Sequence, residues 1–127
     1  MKEKKKESKE ITNHNFIDAW KNAFNGIIYA TTTQKNIQKQ LIIAVIVVIV
    51  SLFFNLNRAE FLCFLFTIVL IIFAEMVNTA IETVVDLYVD VYHPKAKIAK
   101  DVAAGGVVIT TINAIIVAYF LFFDKIA

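Results

Sequence analysis

Three apolar stretches, residues 41–54, 61–74 and 102–123, constrain this chain more than anything else in it. Only the last reaches the roughly 20 residues that cross a bilayer unaided. The first reaches that length when counted from 37 to 56, with its polar ends at the interfaces. The second does so only if it runs on through Glu75 to the neighbourhood of Asp86. A composition that is 58% hydrophobic is too apolar for an ordinary soluble domain of 127 residues, and 3 Gly with 1 Pro suit long helices with few turns. The expectation is an all-α integral membrane protein with three transmembrane helices, over about 37–56, 60–87 and 97–123. Cys63, alone in an apolar run, has no partner for an intramolecular disulfide and reads as a small core or lipid-facing residue.

Basic residues near the segment ends set the orientation. Lys21, Lys35 and Lys39 precede the first span, together with the lysines of MKEKKKESKE. The connection between the first two spans offers Arg58, the next offers Lys95, Lys97 and Lys100, and Lys125 follows the third. The N-terminus and the second connection are therefore expected on the cytoplasmic side of a multi-pass protein. The tail over 1–12 mixes lysine with glutamate, which suits a disordered, solvated segment better than a signal peptide. In NFIDAWKNAFNGIIYA, Phe16, Ile17, Trp20, Phe24, Ile27 and Ile28 recur near helical spacing, with Asp18, Lys21, Asn22 and Asn25 between them. That pattern predicts an amphipathic surface helix over 15–33, lying in the membrane interface.

The second apolar stretch then turns polar in a regular way, as AEMVNTAIETVVDLYVD. On a helix Glu75, Asn78, Glu82 and Asp86 fall within an arc of about 80°, one face over three turns. A carboxylate inside a membrane segment costs at least a few kcal/mol, so such a face reads as functional. Opposite charge is available in YHPKAKIAKDVAAGG, where Lys97, Lys100 and Asp101 follow Pro94 at spacings that share a helix face. Ala103, Ala104, Gly105 and Gly106 then open the third span with side chains small enough for close contact between the second and third helices. Asn113 is expected to bridge helices, as membrane amides do. Carboxylates, an amide and lysines at one boundary suit Mg²⁺ and phosphate chemistry, since Mg²⁺ takes one or two carboxylates plus phosphate oxygens and lysine serves phosphate as a point charge. Two other readings stand beside it: Glu75 and Glu82 as a proton or cation pathway, and Lys100–Asp101 as a plain ion pair. No P-loop or kinase-type glycine-rich loop is present, so a nucleotide site here is of another kind.

EMVNTAIETVVDL together with YHPKAKIAKDVAAGGVV resembles the small bacterial membrane kinases of the diacylglycerol kinase and undecaprenol kinase family. The resemblance covers nearly everything but the tail, and its E-x-x-N-(S/T)-A-I-E-x-x-V-D block is specific. It implies a kinase domain over 13–127 in a bacterial cytoplasmic membrane, built as a homotrimer with active sites shared between subunits. It also implies ATP as phosphate donor, Mg²⁺ as cofactor, a membrane lipid alcohol as acceptor and no nucleic acid as partner. By the same resemblance Glu75 matches the general base toward the lipid hydroxyl, and Glu82 the carboxylate that binds the metal bridging ATP phosphates. Asn78 lies between them, Lys100 and Asp101 match a pair that contacts the nucleotide, Tyr92 and His93 fall in the loop approaching it, and Asn22 joins the nucleotide-binding set.

One position departs from the family pattern: in TTTQKNIQKQ, Gln34 stands where a second metal carboxylate is usual. An amide oxygen still ligates Mg²⁺ but carries no charge, so weaker metal affinity and reduced activity are expected, or a carboxylate recruited from elsewhere. The HPKAKIAKDVAAGG segment looks more like the undecaprenol branch of the family than the diacylglycerol branch, which makes undecaprenol the expected lipid and diacylglycerol the alternative. A non-catalytic binding or ion-conducting subunit is the reading of another class. Gln34→Glu is expected to lower the Mg²⁺ concentration needed for half-maximal rate in a lipid phosphorylation assay. An unchanged Mg²⁺ dependence would mean that position 34 has been misassigned.

Overall fold

A computed structural model describes residues 16–126; the tail expected over 1–12, and position 15 at the start of the first expected helix, lie outside the described residues. The described chain falls into two units, one ending at Thr33 and the other beginning at Gln34.

The described part of the first unit is one helix, α1 (Phe16–Thr33). Phe16, Trp20 and Phe24 stand four residues apart and touch ring to ring, with centroids 6.1 and 6.2 Å apart. In its last turn three threonine hydroxyls bond back to the preceding turn: Thr31 and Thr32 donate to the Ile28 carbonyl, and Thr33 to that of Tyr29.

The second unit holds α2 (Lys35–Ser51), α3 (Arg58–Tyr88) and α4 (Pro94–Ala118). The last of these continues through a π-helical turn, Tyr119–Phe123, into Asp124–Ile126. Two helices, Arg58–Tyr88 and Pro94–Ile126, are long and apolar enough to cross a membrane by themselves. The expected first span is shorter than the 37–56 stretch: α2 has 17 residues and passes that test only when counted together with α1. At 31 residues α3 is about 46 Å long, well beyond a roughly 30 Å hydrocarbon core, so at least one of its ends lies outside it.

Local chemistry sets these boundaries. The Ser51 hydroxyl turns back to the Val48 carbonyl at 2.7 Å as α2 ends. Asn55 then takes a left-handed backbone, φ 48°, which asparagine tolerates better than most residues. Asn57 caps α3 reciprocally: its side-chain oxygen accepts from the Glu60 N–H at 2.9 Å, and the Glu60 carboxylate accepts from the Asn57 N–H at 2.8 Å. Lys125 reaches the same Glu60 at 3.1 Å, tying the start of α3 to the final turn of the chain. In the π turn Phe122 packs on Phe54 and Phe64, while Tyr119 and Phe123 stack at 4.8 Å.

Helices α3 and α4 form the most extensive packing in the unit. The half-buried positions of α4 include Ala96, Ala99, Lys100, Ala103, Val107, Thr110 and Ala114, a face repeating at three- and four-residue steps. A Cβ built at Gly105 or Gly106 would meet nothing within 4 Å, which corrects the expectation that this pair sits in the tight seam. Asn113 is likewise exposed and bridges to no other helix among the described residues, because its position points off the packed face. Cys63 is exposed too.

Removing the cap in Asn57→Ala is expected to cost about 1 kcal/mol of stability, with Asn57→Ser recovering most of it. Denaturation of the micelle-solubilised protein, followed by helical circular dichroism, checks this.

Candidate functional site

The polar stripe of α3 faces inward. Glu75 and Asn78 are 5% and 6% exposed, Glu82 is half-buried and Asp86 is exposed, so the stripe climbs from the bundle interior to its surface. Four groups on one helix face share this gradient because their spacing keeps them in register over three turns.

Each buried group has a definite neighbour. The Asn78 amide donates to the Glu82 carboxylate at 3.1 Å, one turn away. Gln40, from α2, is a side-chain hydrogen-bond partner of Glu75. The Asn78 side-chain oxygen is buried and has no partner among the described residues, which makes it an acceptor open to a donor or a cation.

Above this pair the stripe meets α4. The Lys100 ammonium bonds the Asp86 carboxylate across the two helices, and Glu82 lies within electrostatic reach of the same ammonium. Asp86 and Lys100 border a cavity of about 410 Å³ at the end of α3, together with Val89, Tyr92, His93 and Lys97. His93 shapes this end: its Nδ1 accepts the Lys95 N–H at 3.2 Å and so caps α4, with Pro94 in the first turn.

A second cavity, about 320 Å³ and almost wholly apolar, runs between α2, α3 and α4. Gln40, the partner of Glu75, borders it along with Ile43, Val47, Phe64, Ile68, Ile71 and Ala118. Apolar space thus adjoins Gln40, the α2 residue that meets Glu75.

Glu75, Asn78 and Glu82 are brought together as the spacing implied, and Lys100, Tyr92 and His93 share the cavity above them. Asp101 is not part of that group. It pairs with Lys97 on the exposed side of α4, which corrects the reading of Lys100–Asp101 as an ion pair. Consecutive residues on a helix point about 100° apart, whereas positions four apart are neighbours. Gln34 stands half-buried at the start of α2, where its backbone carbonyl accepts from the Gln38 N–H at 3.0 Å. Asn22 is exposed on α1, in the other unit. Two polar residues escaped the sequence reading of the site. Gln40 was passed over as a polar end of an apolar run, and Asp86 was placed on the stripe but given no role.

The donors here are oxygens, of the kind a hard divalent cation takes. Among the described residues no three His, Cys, Asp or Glu side chains gather into one cluster. Glu82 with the unpaired Asn78 oxygen fits a cation that draws its remaining ligands from a bound phosphate, as Mg²⁺ commonly does.

Residues 21–122 match the family model described as prokaryotic diacylglycerol kinase. The chain is 38% identical over 104 residues to a diacylglycerol kinase of Synechocystis, covering 81% of this chain but 59% of that protein's length. It is 33% identical over 111 residues to the undecaprenol kinase of Bacillus subtilis, covering 87% of this chain and 90% of that protein.

Burial makes Glu75 expensive to the fold. Glu75→Gln keeps a hydrogen-bonding group for Gln40 and removes a carboxyl group that is costly to bury, so the variant is expected to be at least as stable as the parent. A lower melting temperature than the parent, measured in the same detergent, would contradict this.

Proposed function

The chain belongs to the prokaryotic diacylglycerol kinase family, and from that premise we propose that it transfers the γ-phosphoryl group of MgATP to the hydroxyl of a membrane lipid, undecaprenol before diacylglycerol. The observation that carries the reading is the α3 stripe: a buried carboxyl group whose partner Gln40 borders apolar space at one end, and a lysine-bearing cavity at the other. A lipid alcohol and a water-borne nucleotide need that polarity of arrangement, because one approaches from hydrocarbon and the other from water.

Phosphoryl transfer asks a protein mostly for positioning and electrostatic stabilisation. In this account the lipid chain lies along the apolar cavity and brings its hydroxyl to Glu75, which takes the proton as the hydroxyl oxygen attacks the γ-phosphorus. The bond to the β–γ bridging oxygen breaks and ADP leaves. Lys100 meets the phosphates as a point charge, and Tyr92 and His93 border the same cavity. Mg²⁺, when bound, neutralises phosphate oxygens; Glu82 would hold it, with the Asn78 oxygen beside it and Gln34 as an uncharged donor.

The same reading takes α1 as a helix lying on the cytoplasmic surface of the bacterial inner membrane, with α2 as a third span. It takes the kinase to be a homotrimer. Its support is that no residue of α4 is buried within the described chain, although that helix is long and apolar enough to span a membrane. Identity is slightly higher to the diacylglycerol kinase, while the match to the undecaprenol kinase extends over nearly all of that protein. Together with the likeness of the 93–106 segment, that extent favours the polyprenol.

Labelled MgATP and the purified protein in mixed micelles, with undecaprenol and diacylglycerol in parallel, test the proposal. Phosphorylation of undecaprenol is expected to be the faster, and Glu75→Gln is expected to lower kcat by about 10²–10⁴. Lipid phosphorylation that survives Glu75→Gln would remove that residue from the chemistry. No phosphorylation of either lipid, with an ion flux that changes in the same variant, would favour a conducting subunit.

A further inference from the structure

We propose that Asp86 is a positioning residue for Lys100: its carboxylate holds the lysine ammonium beside Glu82, so that the cation is already aimed into the nucleotide cavity before a phosphate arrives. The inference rests on the kinase reading above and adds to it a residue that reading did not use.

Three observations lead there. The Lys100 ammonium bonds Asp86 across α3 and α4, a pairing fourteen residues apart in sequence. Glu82 lies within electrostatic reach of the same ammonium. Asp101, the carboxylate next to Lys100 in the chain, is engaged by Lys97 instead. Lysine carries its charge on four rotatable carbons, and without a tether the ammonium samples directions that leave the cavity. Asp86 and Lys100 both border that cavity, so the tether works at its wall.

A purely structural role explains the pair poorly. The two side chains are 65% and 40% exposed, and exposed ion pairs add little to stability. A bare electrostatic role has the wrong sign. A carboxylate at the rim of a triphosphate site repels the ligand, so removing it would tighten binding. If Asp86 acts through Lys100, removing its charge weakens binding instead. The direction of the change therefore separates the two accounts.

The test measures MgATP affinity by displacement of a fluorescent ATP analogue from the full-length protein in micelles, alongside KM and kcat for lipid phosphorylation. Asp86→Asn is expected to raise the Kd and KM for MgATP about fivefold while leaving the KM for lipid unchanged, with Asp86→Glu restoring most of the affinity. In a Lys100→Met background the same Asp86→Asn change is expected to have no weakening effect, because the group it positions is gone. Unchanged or tighter MgATP binding in Asp86→Asn overturns the proposal, as do losses that simply add in the double variant. Collapse of helix content or melting temperature in Asp86→Asn also overturns it, in favour of a structural staple. Because affinity is read without turnover, a parent protein that binds MgATP but phosphorylates no lipid sinks the kinase reading and leaves Asp86 decided by the binding data. A parent that binds no MgATP sinks both.

Discussion

The cost of placing carboxyl groups in an apolar bundle governs this structure. Glu75 and Asn78 lie almost fully buried on a helix that is otherwise suited to hydrocarbon. Such groups are tolerable only where other protein groups meet them, and that requirement turns the polar face of α3 toward α2 and α4. Gln40 meets Glu75 from α2, Glu82 meets Asn78 from one turn further on, and Lys100 meets Asp86 from α4. The packing of three helices and the assembly of the candidate site are thus one event. Apolar positions such as Val77, Val84 and Leu87 take the remaining directions and stay exposed.

The α3–α4 hairpin converts a one-dimensional stripe into a graded site. Its deep end holds the buried Glu75 and Asn78, and its outer end carries a lysine and an open cavity. His93 with Pro94 starts α4 where Lys100 can reach back to Asp86. This division between a hydrocarbon-facing half and a water-facing half is what a reaction between a lipid and a nucleotide requires.

The periodic parts of this arrangement were legible in the sequence. The helical spacing of Glu75, Asn78, Glu82 and Asp86 identified the face, and its burial gradient followed from the direction in which the apolar run ends. The capped start of α4 at Pro94 was legible for the same local reason. What spacing could not supply were pairings between helices. Asp86 with Lys100 and Gln40 with Glu75 depend on how α2, α3 and α4 lie together, which no local pattern encodes. The mistaken pairing of Lys100 with Asp101 treated neighbours in sequence as neighbours on a helix. Gly105 and Gly106 were credited, together with Ala103 and Ala104, with close contact to α3, yet a Cβ at either glycine would meet nothing within 4 Å, since small residues permit approach at many positions and only the helix rotation selects among them.

The central claim is a division of labour along one helix face: Glu82 answers to the nucleotide and Glu75 to the lipid. Infrared difference spectra of the carboxyl groups, assigned through the Glu75→Gln and Glu82→Gln variants, read this directly. Addition of Mg²⁺ with a non-hydrolysable ATP analogue should shift the band lost in Glu82→Gln and leave the Glu75 band in place, while undecaprenol should do the reverse. If both bands move with one ligand and neither with the other, or if neither ligand moves either band, the account is wrong.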